Sequence, residues 1–548
     1  MILKNNSIYK KITYIIFPVF FLIGIITYKD YGISVDEEFE RRVGFYWLNY
    51  VLSFTPFNEL ISAVSLKLEQ INGFTLPTAK DNKFYGVIFS LPMALIEVVF
   101  NIEDSKQYFQ LRHLFNFLLF FISSFFFYKI LLNRFSKYDI ALIGFLFFIL
   151  SPRIYGSSFF NSKDMVFLSL LTIALYFCFR CFDKFSYKNL LIFSIFAALC
   201  SSSRILGIIL PLSFIAFCFL SFPLKVKNLY LIIFFLISYC FFLIIFWPAL
   251  WSSPIDNFFL AFKYFSNLEG FNIKMFFNEK YIHTNFLPYS YIFVWILITT
   301  PILYIFLFIF GFYNIFTRLF KRFLNIKEKN YYPDLWRGKK EKKDLFILLN
   351  LLVILLYLIT FNVILYTGWR QIYFLNTFII YIATSGLHQI SFNLKSKIKQ
   401  NIKLSFVGLF LIFVVYKMTV YHPFQNLYFN SVFNQGVHNK FEVDYWGLTG
   451  KKSLEKILVL EKNKKPIKVA VASFMPLERS LVLLSKEDRK KIIIVGQDYE
   501  NADYVYTVFI SEVDINGNDK YKIPSNFTKV DEFILDNIRI YEIFKKNN

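Results

Sequence analysis

The sequence predicts a polytopic α-helical membrane protein that ends in a small α/β domain. Three observations predict it. Hydrophobic residues make up 56% of the 548 positions and the mean hydropathy is +0.48, far above a soluble globular chain. Apolar runs of about the 20 residues that a span needs recur from residue 11 to residue 420. After "VVYKMTVYHPFQNLYFN" the hydrophobicity falls. The net charge of +22 does not indicate nucleic acid, because Lys and Arg concentrate in short loops between apolar runs, where the positive-inside rule puts them. The five cysteines, Cys178, Cys181, Cys200, Cys218 and Cys240, lie inside apolar runs. That excludes a disulfide framework and a thiolate metal site.

The first run, 11–29, follows Lys4, Lys10 and Lys11 and has no small-residue cleavage site, so it reads as an uncleaved span with its N-terminus inside. Further candidates lie at 85–101, 108–132, 139–152, 164–182, 189–202, 205–222, 229–249, 289–316, 344–365, 371–388 and 403–420. Five basic loops test the orientation: Arg134 and Lys137, Lys184 and Lys188, Lys225 and Lys227, the stretch 317–344 and "SFNLKSKIKQNIK". All five face the cytoplasm only if 85–101 does not cross, so that segment is read as a re-entrant or juxtamembrane helix in the first outer loop. Eleven spans result. The loops 30–107, 153–163, 250–288 and 366–370 then share the outer side with the tail from 421.

In the tail, "PIKVAVASF", "KKIIIVG" and "ADYVYTVFI" read as strands around a helical "PLERSLVLLSKEDR". The expected division is a membrane domain over 1–450 and an extracytoplasmic α/β domain over 451–548.

The stretch "ISVDEEFERRVGFYWLNY" places Asp36, Glu37 and Glu38 about one helical turn outside the first span. Solvated loop charges explain them equally well until Asp164 is added, which opens a later span from the same side, next to Lys163. Two carboxylate sites and basic groups at one interface point to acid–base chemistry on something anionic. Lys83, Arg112, His113, Arg153, Arg204, Lys263, His283 and Arg370, which follows "YTGW", fall on that face too. Each alone reads as a snorkelling anchor. Together they suit an anion site, arginine being fitted to bidentate phosphate binding.

These residues resemble the GT-C membrane glycosyltransferases, which include protein O-mannosyltransferases and lipid A aminoarabinose transferases. The resemblance rests on the Asp36-Glu37 pair, "LRHLFNFLLFFISSFFFYKILLNRF", "SPRIYGSSFFNSKDM", "LPYSYIFVWILITTPILYIFLFIFG", "YTGWRQIYFLNTFIIYIATSGL" and "HPFQNLYFNSVFNQGVHNKFEVDYWG", in that order, over most of 10–450. It implies a GT-C-like fold and transfer of a sugar from a polyprenyl-phosphate carrier to a glycan, lipid or protein outside the cytoplasmic membrane of a bacterium. It also implies that Asp36 is the base, Glu37 its partner, and Asp164 a residue that orients the acceptor or a metal. An outward acid site fits a lipid-borne donor independently, since nucleotide sugars are cytoplasmic.

A polyprenyl phosphate leaves readily and needs cationic stabilisation more than an acid, for which Lys83, Arg204 and Arg370 are the candidates. Lys83 departs from the family pattern, in which prolines follow the lysine; here the text is "NKFYG". Candidate substrate contacts are Arg112, Lys163, His283, Trp369 and Asp444, the last in "DYWG", which reads either as a sugar contact or as a packing corner. No cofactor is expected to be required, although a divalent metal is open within the superfamily; His283, His422 and His438 have no ligand spacing. The expected partners are the lipid donor, the acceptor and the bilayer, with no nucleic acid and no identified protein. The rival readings are a flippase or transporter for a lipid-linked sugar, which predicts internal repeats and charges at mid-depth, and an oligosaccharide polymerase or ligase.

Overall fold

The computed structural model describes residues 2–71, 83–221, 225–267, 273–324, 338–394, 396–461, 466–510 and 521–547. Part of the basic stretch 317–344 lies outside them. The helices are α1 (Ile2–Thr27), α2 (Glu37–Leu52), α3 (Asn58–Gln70), α4 (Ser90–Val99), α5 (Ser105–Phe135), α6 (Tyr138–Ile149), α7 (Pro152–Phe160), α8 (Asp164–Asp183), α9 (Tyr187–Ser203), α10 (Ile209–Ser221), α11 (Val226–Phe246) and α12 (Pro254–Asn267). After a hairpin, β1 (Lys274–Phe277) and β2 (Lys280–His283), come α13 (Tyr291–Thr299), α14 (Ile302–Leu324), α15 (Gly338–Thr360), α16 (Leu375–Asn393) and α17 (Lys397–Tyr421). The C-terminal part holds α18 (Gly450–Leu460), β3 (Ile467–Val471), α19 (Glu478–Leu481), α20 (Lys486–Arg489), β4 (Ile492–Ile494), β5 (Tyr504–Thr507), β6 (Phe527–Leu535) and β7 (Ile538–Lys546).

Helix lies at each of the eleven expected spans. Among the described residues seven helices are long and apolar enough to cross a membrane, or eight if the bent pair α6–α7 is one span. The others fall short for physical reasons. Helix α16 carries Asn376, Thr377, Thr384 and Ser385, yet Leu375 to Leu387 are all buried, so it packs against protein and needs no lipid-compatible surface. Helices α9 and α10 are only 17 and 13 residues long, and α6–α7 bends by 58° ahead of Pro152, whereas the run 289–316 is cut at Pro301 but keeps α14 among the seven. At the other extreme α11 and α17 keep Ile233, Ile237, Phe241, Leu409 and Ile412 exposed, the pattern of lipid-facing helices.

The segment 85–101 forms α4, ten residues and about 15 Å long, too short to cross. It packs with α2 and α3 around Phe45, Leu48, Val64 and Ala94, and a buried Arg41–Glu97 pair ties α2 to α4. The expected outer-loop helices are therefore a small body with its own core.

The C-terminal sheet has the order β4-β3-β5-β7-β6. Strands β4, β3 and β5 are parallel and β7 is antiparallel to both its neighbours. The three expected strands are present, while the expected helix 476–489 splits into α19 and α20. The hairpin β6–β7 turns at Asp536-Asn537, both with positive φ, as a two-residue hairpin turn requires. Its tip docks on the membrane helices: Lys417 Nζ reaches the Asp536 carboxylate at 2.8 Å, Tyr421 donates to it at 3.0 Å, and Asn434 donates to the Asp536 carbonyl at 3.2 Å.

Candidate active site

Asp36 stands in the loop between α1 and α2, at the N-cap position of α2, but its side chain makes no capping bond. It accepts instead from Arg370 Nη1 at 2.6 Å. Arg370 opens a single helical turn before α16, just after Gly368, whose φ of +76° makes the turn that delivers it. The guanidinium lies over the rings of Tyr366, 4.6 Å away, and Trp446, 4.4 Å away, in cation–π contact with both.

A second pair lies beside the first. Asp164 opens α8; its carboxylate accepts from Asn161 Nδ2 at 2.8 Å and from Arg204 Nη2, while its own N–H donates to Asn161 Oδ1. Arg204 is the extended residue that ends α9. A third pair joins Lys163 Nζ to Glu40 Oε1 at 2.8 Å, with the ammonium 3.3 Å from the centre of the Tyr85 ring. The pairs feel one another: the charges acting on Arg370 include Asp36 and Asp164, and those acting on Lys163 include Glu40, Arg204 and Asp36.

Burial alone would raise the Asp36 carboxyl, but Arg370, Lys163 and Arg479 outweigh it and hold the group below the ordinary carboxylate range. Burial likewise opposes the charge on Arg370 and Lys163, and their acidic neighbours overcome it, so both are held more firmly protonated than usual. Accessibility separates the acids. The Asp36 side chain keeps 37% of its surface open, against 3% for Asp164 and 4% for Glu40.

Of the residues singled out from sequence, the structure brings Asp36, Asp164, Arg204, Arg370 and Lys163 together. Glu37, expected as the partner of Asp36, is elsewhere engaged: it is buried, accepting from the Ser34 N–H at 2.6 Å and bonded to His113 Nε2 at 2.8 Å. Its partner is set by α5 rather than by the loop. Arg112 is buried beneath, donating to Ser90 Oγ at 3.2 Å, and that hydroxyl in turn donates to Glu40 Oε2. Lys83 lies over the Phe84 ring, and Gly86 just after it packs directly on the carbonyls of Ser202 and Ser203, next to Arg204.

His283 stands in β2 opposite Lys274, on a hairpin bridged to Phe441 rather than on the acid-bearing loop. Trp369 is buried and donates to Thr299 Oγ1 at 2.9 Å. Asp444 is fully buried, its oxygens accepting from Leu448 N, Thr449 N and Thr449 Oγ1 at the start of α18. That is the packing corner, with no surface left for a sugar. Sequence reasoning missed Glu40, Tyr85, Tyr366 and Arg479, and read Trp446 only as part of "DYWG"; all are partners that only tertiary packing supplies.

Among the described residues no group of three or more His, Cys, Asp and Glu is placed to hold a metal ion. Each cluster acid accepts from a cationic side chain.

Residues 91–251, which include Arg112, Lys163, Asp164 and Arg204, match the family model of dolichyl-phosphate-mannose-protein mannosyltransferase. No curated protein matches the chain by sequence. Among solved structures the chain is similar to ArnT from Cupriavidus metallidurans bound to undecaprenyl phosphate, at 10% identity and a TM-score of 0.47, over 97% of each chain. It is also similar to the oligosaccharyltransferase AglB from Archaeoglobus fulgidus in complex with an inhibitory peptide and a dolichol-phosphate, at 11% identity and a TM-score of 0.43, over 87% of this chain and 65% of that one. The arabinofuranosyltransferase AftD from Mycobacteria aligns at 10% identity and a TM-score of 0.38, over 94% of this chain and 40% of that one. The chain thus spans about two thirds of the archaeal enzyme's length.

Proposed function

We propose that the protein transfers a sugar from a polyprenyl-phosphate donor to an extracytoplasmic acceptor, with inversion at the anomeric carbon and Asp36 as the base. The observation that carries this reading is the placement of Asp36, the acid of the cluster with open surface, paired with Arg370 beside cations suited to a phosphate.

The acceptor hydroxyl gives its proton to Asp36 while its oxygen forms a bond to the anomeric carbon. The bond from that carbon to the phosphate oxygen breaks, and the polyprenyl phosphate leaves with the electron pair. Arg370 and Arg204 take the growing charge of the leaving phosphate, with Lys83 as a third candidate. Asp164 orients Arg204. A donor phosphate competes with Asp36 for Arg370, so donor binding weakens the ion pair and makes Asp36 more basic when the proton must be taken. Guanidinium groups supply the positive charge in this scheme, and EDTA leaves transfer unchanged.

The protein works in the cytoplasmic membrane of a bacterium, crossing it about eleven times with the N-terminus inside and 451–548 outside as a separate domain. The test is mass spectrometry of polyprenyl-phosphate sugars and envelope glycans in cells carrying the wild type or Asp36→Asn at matched expression. One glycosyl-phosphate lipid accumulates in the mutant and one glycan loses the same sugar. Unchanged lipid and glycan profiles would remove Asp36 as the base, and this function with it.

A further inference from the structure

The acid loop is held by the C-terminal part of the chain. Tyr31, fully buried, stacks on Phe159 at 4.1 Å and donates to Gln425 Oε1 at 3.0 Å. The Val35 N–H donates to the Trp446 carbonyl at 3.2 Å, and the Val35 carbonyl accepts from Arg479 Nη1. Arg479 comes from α19, far along the chain, and bonds the peptide that immediately precedes Asp36. Its neighbours hold it there: Leu477, Ser480 and Leu483 are buried, Leu483 packs with Ile33 and Phe109, and Lys106 Nζ donates to the Leu483 carbonyl at 3.2 Å.

We propose that Arg479 is a positioning residue of the acid site: it fixes the Val35–Asp36 peptide and sets a third cationic charge beside the carboxylate, making the C-terminal unit part of the transfer machinery. The inference rests on Asp36 being the base. Two features separate this role from simple docking. Docking is already supplied by the Asp536 contacts and by Lys106, none of which touches the acid loop. In addition, Arg479 carries its charge to the start of α2, where Glu38, Asp36 and Glu37 face it with Arg42 opposing. Asp36 in turn is faced by Arg370 from the turn before α16, by Lys163 from the start of α8 and by Arg479 from α19.

The experiment compares full-length Arg479→Gln, Arg479→Met and Arg479→Lys with the wild type. The probe is the glycosyl-phosphate lipid extracted from the Asp36→Asn cells. Release of free polyprenyl phosphate is followed by mass spectrometry across pH, and folding by the melting temperature in detergent. Removing a cation near Asp36 raises the pH at which the carboxylate takes up its proton, so the acid limb of kcat/KM moves to higher pH in Gln and Met. The misplaced loop lowers kcat by about tenfold to a hundredfold. Arg479→Lys restores the acid limb but not the full kcat, because it returns the charge without the planar donor. As a docking control, Lys417→Met lowers the melting temperature and leaves the pH profile in place.

If folded Arg479→Gln and Arg479→Met keep the wild-type kcat and acid limb while Asp36→Asn is inactive, the inference is overturned and Asp36 stands as the base. If Arg479→Met does not fold, the pH profiles of Gln and Lys decide alone. If Asp36→Asn is active, both the base and its positioning residue fall.

Discussion

Helix α5 carries Arg112 near one end and Arg134 near the other, 22 residues on, and α8 carries Asp164 and Asp183 in the same way. At about 1.5 Å per residue two charged clusters therefore stand about 30 Å apart, close to the thickness of a hydrocarbon core. They are built from the same residue types. At the Arg134 end Asp344 is 1% exposed and accepts four bonds: two from Arg134, at 2.6 and 2.5 Å, one from Arg318 at 3.0 Å and one from the Tyr381 hydroxyl at 2.8 Å. This clamp joins α5, α14, α15 and α16 and leaves the carboxylate nothing more to accept. At the other end Asp36 has one strong partner and an open face. Charge does not mark the site; incomplete satisfaction combined with access does.

The largest effects come from deleting the two carboxylates in turn. Asp344→Ala leaves Arg134 buried without its partner and costs on the order of 3–5 kcal/mol of stability. It is read as a lower melting temperature in detergent, with turnover per folded molecule unchanged. Asp36→Asn falls mainly on activity: transfer drops by about a hundredfold to ten-thousandfold, while the melting temperature falls by less than in Asp344→Ala, because the Asn oxygen can still accept from Arg370. A result in which both variants lose stability and activity alike would erase the distinction between clamp and site.

Asp164→Asn stands between these cases, since Asp164 is as buried as a clamp residue but pairs with an arginine of the site. It leaves the Arg204 guanidinium uncompensated, so both the melting temperature and transfer fall, each by less than in the extreme variants. Saturation with donor restores part of the rate if Arg204 holds the phosphate, so the loss appears in KM more than in kcat.

The next effect is one of pH. Arg370 is the strongest of the cations that outweigh burial and hold the Asp36 carboxyl low in the free enzyme, so the wild-type kcat/KM is lost only as pH falls through that depressed value. Arg370→Gln removes the cation, and the acid limb of the rate profile moves up in pH. The same pairing contributes stability that is present above the ordinary carboxylate value and lost as pH falls through the folded one. Arg134→Gln, at the clamp, leaves the rate profile where it was.

The comparison also explains what was legible in the sequence. Asp36, Lys163, Asp164, Arg204 and Arg370 could be assembled because the positive-inside pattern sorts loops by side, and side alone puts these residues on one face. Side does not say which charges meet. Glu37 looks interchangeable with Asp36 in "VDEE", but a helix starting there turns successive side chains by about 100°, and Glu37 meets His113 of α5 instead. Glu40, one turn further along the same helix, takes Lys163. Arg479 was invisible because its target is a main-chain carbonyl. The β6–β7 hairpin was legible but unread: "FTKVDEFIL" and "IRIYEIFKK" flank Asp536-Asn537, a two-residue turn signal.

The smallest effect sharpens the boundary of the site. Trp369 adjoins Arg370 in the chain and was expected to touch substrate, yet it is buried, with Nε1 donating to Thr299 and the ring edge-on to Tyr373 at 5.0 Å. Trp369→Phe keeps most of the packing, removes one buried hydrogen bond and leaves the Thr299 hydroxyl its bond to the Trp295 carbonyl. The expected loss is about 1 kcal/mol of stability, visible as a small drop in melting temperature, with KM for the donor unchanged. A raised KM at unaltered stability would instead put the indole against substrate and extend the open site one residue deeper into the bundle.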